Sequence, residues 1–225
     1  MKVIVKIFHS IMLYLITDIP GGLGQRLRYL YYRNKFKHCG SNVRIDEGVI
    51  IQNPENISIG SNVWLMPNTI ITARPIDEKF HNRIVKKIDN KNISIERGSI
   101  AIGNEVQIGA YNILQGYGGL QIGNRCTLSA RVNIYSFSHY PYDDKDRTKI
   151  TYANAMVDSA PISCIESPIV LEEGVWLGLN VSVFGGTIGE NSFIETNSVV
   201  IKDIDRNCLV KGNPAMAYEK RFTES

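Results

Sequence analysis

A chain of 225 residues with 44% hydrophobic and 21% charged residues is globular and long enough to bury a sizeable core, which excludes a disordered chain and suits one domain with a modest appendage. The formal net charge of +3 is unevenly spread: residues 1–44 hold eight Lys/Arg and one acid, leaving seventeen bases against twenty-one acids in the remainder. Cys39, Cys126, Cys164 and Cys208 lie far apart, with no CxxC pair and no histidine at metal-ligand spacing, so they read as reduced thiols in a cytoplasmic protein and no metal site is expected.

In chain order, "MKVIVKIFHSIMLYLITDIP" is apolar but interrupted by Lys6, His9, Ser10 and Asp18, and no small-residue cleavage site follows. It is too short and too polar for a membrane span or a signal peptide. "IFHSIMLYLI" predicts a helix, "DIPGG" a break, and "LGQRLRYLYYRNKFKH" a second helix, basic and aromatic. The segment reads equally as a packed helical cap and as a peripheral contact with an anionic membrane.

A repeat follows. Aliphatic residues fall at Ile45, Ile51, Ile59, Leu65 and Ile71, then at Ile102, Ile108, Leu114, Ile122, Leu128 and Ile134, and again at Leu171, Leu177, Val183, Ile188, Ile194 and Val200. A period of six is a multiple of the strand period and conflicts with 3.6, so these are short strands. Glycine often comes next, as in Ile59-Gly60, Ile102-Gly103 and Ile188-Gly189, which suits a corner with an unusual backbone conformation or with no room for a side chain. One hexapeptide cannot bury its own aliphatic residue, so the repeats must stack as a parallel β-helix of triangular cross-section. Two stretches interrupt the rhythm, residues 72–94 and residues 139–166, the second beginning at the histidine of "SFSHYPYDD". Insertions in a solenoid map to corners, often on a binding face. No Walker loop, dinucleotide fingerprint or metal cluster occurs, and no nucleic-acid partner is expected.

"RVNIYSFSHYPYDDKDR", "SPIVLEEGVWLGLNVSVFGGTIGENSFIETNSVVIKDI" and "LVKGNPAMA" resemble the hexapeptide-repeat acetyltransferases, in particular the maltose, galactoside and polysaccharide O-acetyltransferases, over residues 100–216. The resemblance implies an all-β fold, a left-handed parallel β-helix with an N-terminal helical segment and two inserted loops. The expected division is residues 1–40, a β-helix over 41–215 with loops 72–94 and 139–166, and a tail over 216–225. It implies an acetyl-CoA-dependent O-acetyltransferase acting on a sugar hydroxyl of a surface polysaccharide, O-antigen or capsule, or its precursor. A cyclic homotrimer is implied, with His139 of one copy facing Trp176 or the late coils of the next, in the cytoplasm or at the inner face of the membrane. Two alternatives stay open: an N-acetyltransferase for a nucleotide-linked amino sugar or small-molecule acceptor, and a non-catalytic solenoid scaffold.

On that resemblance His139 is the general base, a task for which imidazole titrates in the right range. Orientation of both substrates and backbone N–H groups supply the rest, without an acyl-enzyme. Trp176, Gly178, Leu179 and Asn180 fall along the pantetheine arm, Thr196 and Ser198 at further cofactor contacts, and Lys202 and Lys211 near phosphate or adenine. Glu195 and Asn197 depart from the family's glycines, and Arg221 reads as part of a solvated tail. On the acceptor side Asn112 and Gln115 are candidates to hold sugar hydroxyls, though stacked Asn and Gln also pair with neighbouring coils, and the Tyr140 and Tyr142 rings suit a sugar face. Asp143 and Asp144 are candidates to orient His139, though acids on such a loop are more often solvated.

Overall fold

The computed structural model describes residues 11–75, 95–141, 146, 148 and 163–223, together with the backbone of 84–87. Tyr142, Asp143 and Asp144 lie outside the described residues. The fold is mostly β and built from parallel sheets that the chain visits in rotation. The first sheet runs through His38–Cys39, Ile57–Ile59, Ile100–Ile102, Leu120–Ile122, Ile169–Leu171 and Gly186–Ile188. The second begins Arg44–Ile45, Trp64–Leu65, Gln107–Ile108, Thr127–Leu128, Trp176–Leu177 and Phe193–Ile194, and the third holds Ile50–Gln52, Ile70–Thr72, Ile113–Gln115, Asn133–Tyr135, Ser182–Val183 and Val199–Val200.

The six-residue rhythm becomes vertical columns. Ile59, Ile102, Ile122, Leu171 and Ile188 are register partners in the first sheet, and Leu65, Ile108, Leu128, Leu177 and Ile194 in the second. All ten are at most 4% exposed and belong to one continuous core. Full burial of each such side chain contributes about 1.5–3 kcal/mol before the entropy cost.

Of the two reasons a glycine suits the corners, the structure selects lack of room. A Cβ on Gly60 would sit 2.6 Å from Gly103 O, one on Gly103 2.6 Å from Asn124 Oδ1, and one on Gly178 2.8 Å from Thr196 N. The left-handed backbone falls elsewhere, largely on asparagines: Asn42, Asn62, Asn68, Asn180, Asn191 and Asn197 all have φ between 54° and 62°. Asparagine tolerates that region because its short amide bonds locally. Here it also bonds vertically, Asn42 Nδ2 donating to Asn62 Oδ1 and Asn180 Nδ2 to Asn197 Oδ1, both at 2.8 Å.

The stack begins under a helical cap. Residues 11–17 form α1 and Gly21–Tyr32 form α2. From α2 the fully buried Arg28 donates to the carbonyls of Ile16, Thr17 and Ile19 at the end of α1 and to Ile45 O in the first coil, at 2.7–3.1 Å. One cation thus satisfies helix-end acceptors and sews the cap to the sheet. Asp46 adds a second joint, accepting from Gln25 Nε2 and from Trp64 Nε1, each at 2.7 Å. At the other end Cys208–Gly212 and Ala215–Lys220 form an antiparallel hairpin on the second sheet. The residues expected to start a tail at 216 are therefore strand as far as Lys220.

Replacing Arg28 with Met should strip those buried carbonyls of their donor and cost about 2–4 kcal/mol, read by urea unfolding, with exchange protection lost first in α1. A second expectation concerns alkaline pH. Burial pushes the Tyr32 phenol up from 10.0 to about 12, helped by Tyr31, and the Cys126 thiol up from 9.0 to about 11 against backbone hydrogen bonds. The unfolded chain loses these protons first, so the native state is fully favoured below pH 9 and loses that advantage as pH climbs through about 11 and about 12. Thermal unfolding across that window should show the decline, and Cys126→Ala should remove its lower part.

Candidate active site

Both interruptions leave the stack at one corner, between the third sheet and the first, after Thr72 and after Tyr135. They meet there. Phe137–Tyr140 pairs antiparallel with Ser163–Glu166, which pairs parallel with Ile84–Lys87 from the earlier insertion. Sequence reading treated the insertions as separate loops; the β-branched pairs in "RIVKK" and "ISCIE" were the signal for this small fourth sheet.

His139 lies on the edge strand of that sheet, opposite Cys164, and is exposed. Its strand is fixed from beneath. Ser136, fully buried, donates its hydroxyl to Gln115 O at 2.8 Å and accepts Gly118 N–H at 2.9 Å. Gln115 Oε1 accepts Phe137 N–H at 3.0 Å. Glu166, 3% exposed and in register with Phe137, is held by Arg97 at 2.6 Å, so the return strand is pinned by a residue that follows the first insertion. A Cβ on Gly118 would strike Ser136 O, which leaves only glycine at that turn.

Aromatic rings carry the support outward. Phe137 packs edge-on to His139 at 6.4 Å and against Tyr117 at 6.4 Å. The Tyr117 hydroxyl shares a 3.2 Å hydrogen bond with Thr72 Oγ1, and the Arg74 guanidinium lies 4.9 Å above its ring. The result is an exposed imidazole on a strand braced by hydrogen bonds and ring contacts. Tyr140 follows on the same strand.

The acceptor-side expectations divide. Gln115 sits directly under the histidine strand, but its side-chain oxygen is committed to Phe137 N–H. Asn112 is 0% exposed, with its Oδ1 accepting Val132 N–H at 2.7 Å; it lies inside the stack and presents nothing to an acceptor.

Trp176, Gly178, Leu179 and Asn180 run along the second sheet and its next corner. Trp176 is 43% exposed, donates Nε1–H to Ser129 Oγ at 3.2 Å and packs edge-on to Phe193 at 5.6 Å. Leu179 is exposed, while buried Gly178 lets the coil carrying Thr196 approach. Asn180 is a ladder residue bonded to Asn197, which explains why asparagine replaces the family's glycine: both fit a left-handed corner. Thr196 and Lys202 are exposed. Ser198 is not, being 1% exposed and accepting Gly212 N–H at 3.1 Å, so it serves the hairpin turn. Exposed Lys211 lies 4.3 Å over the Tyr218 ring, whose hydroxyl donates to Glu195 and is thereby held above its ordinary pKa.

Arg221 is no solvated tail. It donates to Gly174 O and Asn191 O at 3.1 Å and lies 6.0 Å from the Trp176 ring centroid, bracing the tryptophan's edge of the sheet. Nothing in its sequence setting announced this, since the contact depends on the hairpin's reversal. His139 and Trp176 stand on different sheets of one chain. Among the described residues no group of His, Cys, Asp or Glu is arranged to hold a metal, and no disulfide joins the four cysteines, with burial raising the thiol pKa of Cys39 and Cys126.

With this fold and corner, the chain belongs to the hexapeptide-repeat acetyltransferase family. It is 30% identical over 144 residues, 64% of this chain and 69% of the relative, to WbbJ of Escherichia coli (strain K12), assigned to lipopolysaccharide biosynthesis as an O-acetyl transferase. It is 27% identical over 179 residues, 74% and 84% of the two chains, to YJL218W of Saccharomyces cerevisiae, assigned as an acetyltransferase. Among solved structures, AntD, an N-acyltransferase from Bacillus cereus, superposes with a TM-score of 0.67 at 21% identity over 87% of this chain and 89% of its own. The hexapeptide-repeat acetyltransferase VCA0836 from Vibrio cholerae gives 0.54 at 23% identity over 95% and 89%. No family model matches the sequence.

Gln115→Leu should free Phe137 N–H and cost about 1–3 kcal/mol, with faster amide exchange confined to the fourth sheet. A residue that instead touched only the acceptor would raise KM and leave exchange unchanged.

Proposed function

We propose that this acetyltransferase moves the acetyl group of acetyl-CoA to a sugar hydroxyl of a surface polysaccharide, O-antigen or capsule, or of its precursor, with His139 as general base. The observation that carries the reading is the meeting of both insertions at one corner, with an exposed histidine on a strand braced by Gln115, Ser136 and the Arg97–Glu166 pair. The relationship to WbbJ supports the acceptor class.

In the step itself the acceptor hydroxyl gives its proton to the His139 imidazole as its oxygen bonds to the thioester carbonyl carbon. The tetrahedral intermediate then expels sulfur, the C–S bond breaks, and the thiolate takes up the proton, leaving an acetyl ester and CoA thiol. Holding both substrates in line supplies much of the acceleration, and backbone N–H groups at the coil corners suit the transient oxyanion. Exposed Trp176 and Leu179, with Thr196, Lys202 and Lys211, mark the surface we assign to acetyl-CoA, the Gly178 backbone lying between the first two. Asn180 and Ser198 support that surface through their bonds to neighbouring coils.

Because His139 and Trp176 occupy different sheets, the reading includes a cyclic homotrimer that brings the histidine of one copy to the tryptophan edge of the next. The coils are taken to wind left-handed, as in the family, with the helical cap over 1–40, the β-helix domain over 41–215 and the terminal residues beyond. A cytoplasmic location, including the inner face of the membrane, goes with free cysteines and a CoA thioester substrate. A second reading, transfer to an amine of a nucleotide-linked sugar, is favoured by the likeness to AntD, which was crystallised with dTDP-4-amino-4,6-dideoxyglucose and coenzyme A.

The test is release of CoA thiol from acetyl-CoA in the presence of defined glycans and nucleotide-linked amino sugars. His139→Ala should lower turnover by about 10²–10⁴-fold while thermal unfolding stays unchanged. Unchanged turnover would remove His139 from the mechanism, and an amide rather than an ester in the product would decide for the second reading.

A further inference from the structure

The cap has a second face. On α2 the residues turned to the stack are Gly24, Arg28 and Tyr32, spaced four apart. The opposite side of the same helix carries Leu23, Arg26 and Leu30, and Arg33 at its C-cap continues the line, spaced three and four apart as one stripe, all exposed, with the two leucines at 66% and 50%. On α1 Ile16 is buried, while Ile11, Met12, Tyr14 and Leu15 are exposed, Tyr14 at 73% and Leu15 at 58%. Six large apolar side chains on the two helices therefore face away from the core that the same helices close.

An apolar stripe edged by arginines, with Asp18 as the one acid between residues 11 and 44, has the character of an interfacial helix. The charge is complementary to a negative surface. Arg26 has no acidic partner among the described residues, and the exposed Arg33 guanidinium lies 5.7 Å from the Tyr29 ring. Arginine and leucine together match a phospholipid interface, where the apolar side chains enter the acyl boundary and guanidinium groups meet lipid phosphates. Among the described residues no helix is long and apolar enough to cross a membrane, so the contact is one that lies on the surface. We propose that the outward face of the helical cap, formed by Ile11, Met12, Tyr14 and Leu15 of α1, by Leu23, Arg26 and Leu30 of α2 and by its C-cap residue Arg33, docks the protein on an anionic phospholipid bilayer.

The face is on the opposite side of the cap from the coils, so docking leaves the His139 corner and the Trp176 edge untouched by substitution. It does not rest on the acetyl-transfer reading. The experiment is flotation of the full chain with vesicles of phosphatidylcholine alone and of phosphatidylcholine mixed with phosphatidylglycerol. The expected result is co-flotation with the anionic vesicles only, weakened at least tenfold by raised salt, lost in Leu23→Glu/Leu30→Glu and strongly reduced in Arg26→Glu/Arg33→Glu. Circular dichroism and thermal unfolding check that both variants fold, and thiol release from acetyl-CoA on a soluble acceptor should match the wild type. Absence of the wild type from anionic vesicles at low salt would overturn the proposal, as would undiminished flotation of both folded variants. A loss of oligomer mass in the leucine variant, with no change in flotation, would assign the face to contact between copies and overturn it as well.

Discussion

The distance between successive coils governs this molecule. Within the stack each short strand sends its main-chain hydrogen bonds to neighbouring coils, since two or three residues cannot form a hairpin within their own coil. Coils therefore have to approach to strand spacing at the corners as well as along the faces. That requirement puts glycine at Gly60, Gly103 and Gly178, where a Cβ would enter the neighbouring backbone. It also puts asparagine where the chain turns left-handed and an amide can bond vertically. The aliphatic columns then fill the interior that this spacing leaves, and the cap is needed because the first coil has nothing beneath it.

Such a ladder tolerates interruption only where adjacent coils part without losing register. The corner between the third and first sheets is used twice, and the coils before and after each insertion still pair: Ile71 with Leu114, and Ile122 with Leu171. What leaves the ladder must satisfy its own backbone groups, and the described strands of the two insertions pair with each other in a fourth sheet. The exposed histidine is a product of that arrangement. Its strand is braced by coil residues, Gln115 and Ser136 below and Arg97 beside it, so the regular part of the protein holds the strand that carries His139.

This division explains what the sequence disclosed. Periodicity of six is imposed by stacking, so the columns from Ile45 to Val200 were readable residue by residue, as was the exit of the chain after Ile134. Roles set by contacts between distant segments were not. Asn112 and Gln115 both looked like polar residues beside the histidine, yet one is turned into the stack and the other spends its oxygen on Phe137. Glu166 and Arg97 are sixty-nine positions apart and meet only because both insertions return to one corner. Arg221 reaches Trp176 only through the terminal hairpin, a reversal that no local pattern encodes.

The cap shows the same limit from the other side. Its sequence is apolar and basic almost all round, and such a helix has two ways to satisfy itself: burial against a core or partition to an interface. Sequence periodicity weighed these as alternatives. With Arg28 anchored to four carbonyls and Tyr32 and Phe36 buried in the core, one side of α2 is consumed by the first coil, and that fixes which residues remain. Leucines and arginines on the free side are then not surplus hydrophobicity left over from packing, because removing them would cost the core nothing. A residue that the core does not need, repeated at helical spacing with a cation beside it, calls for an interaction outside the fold.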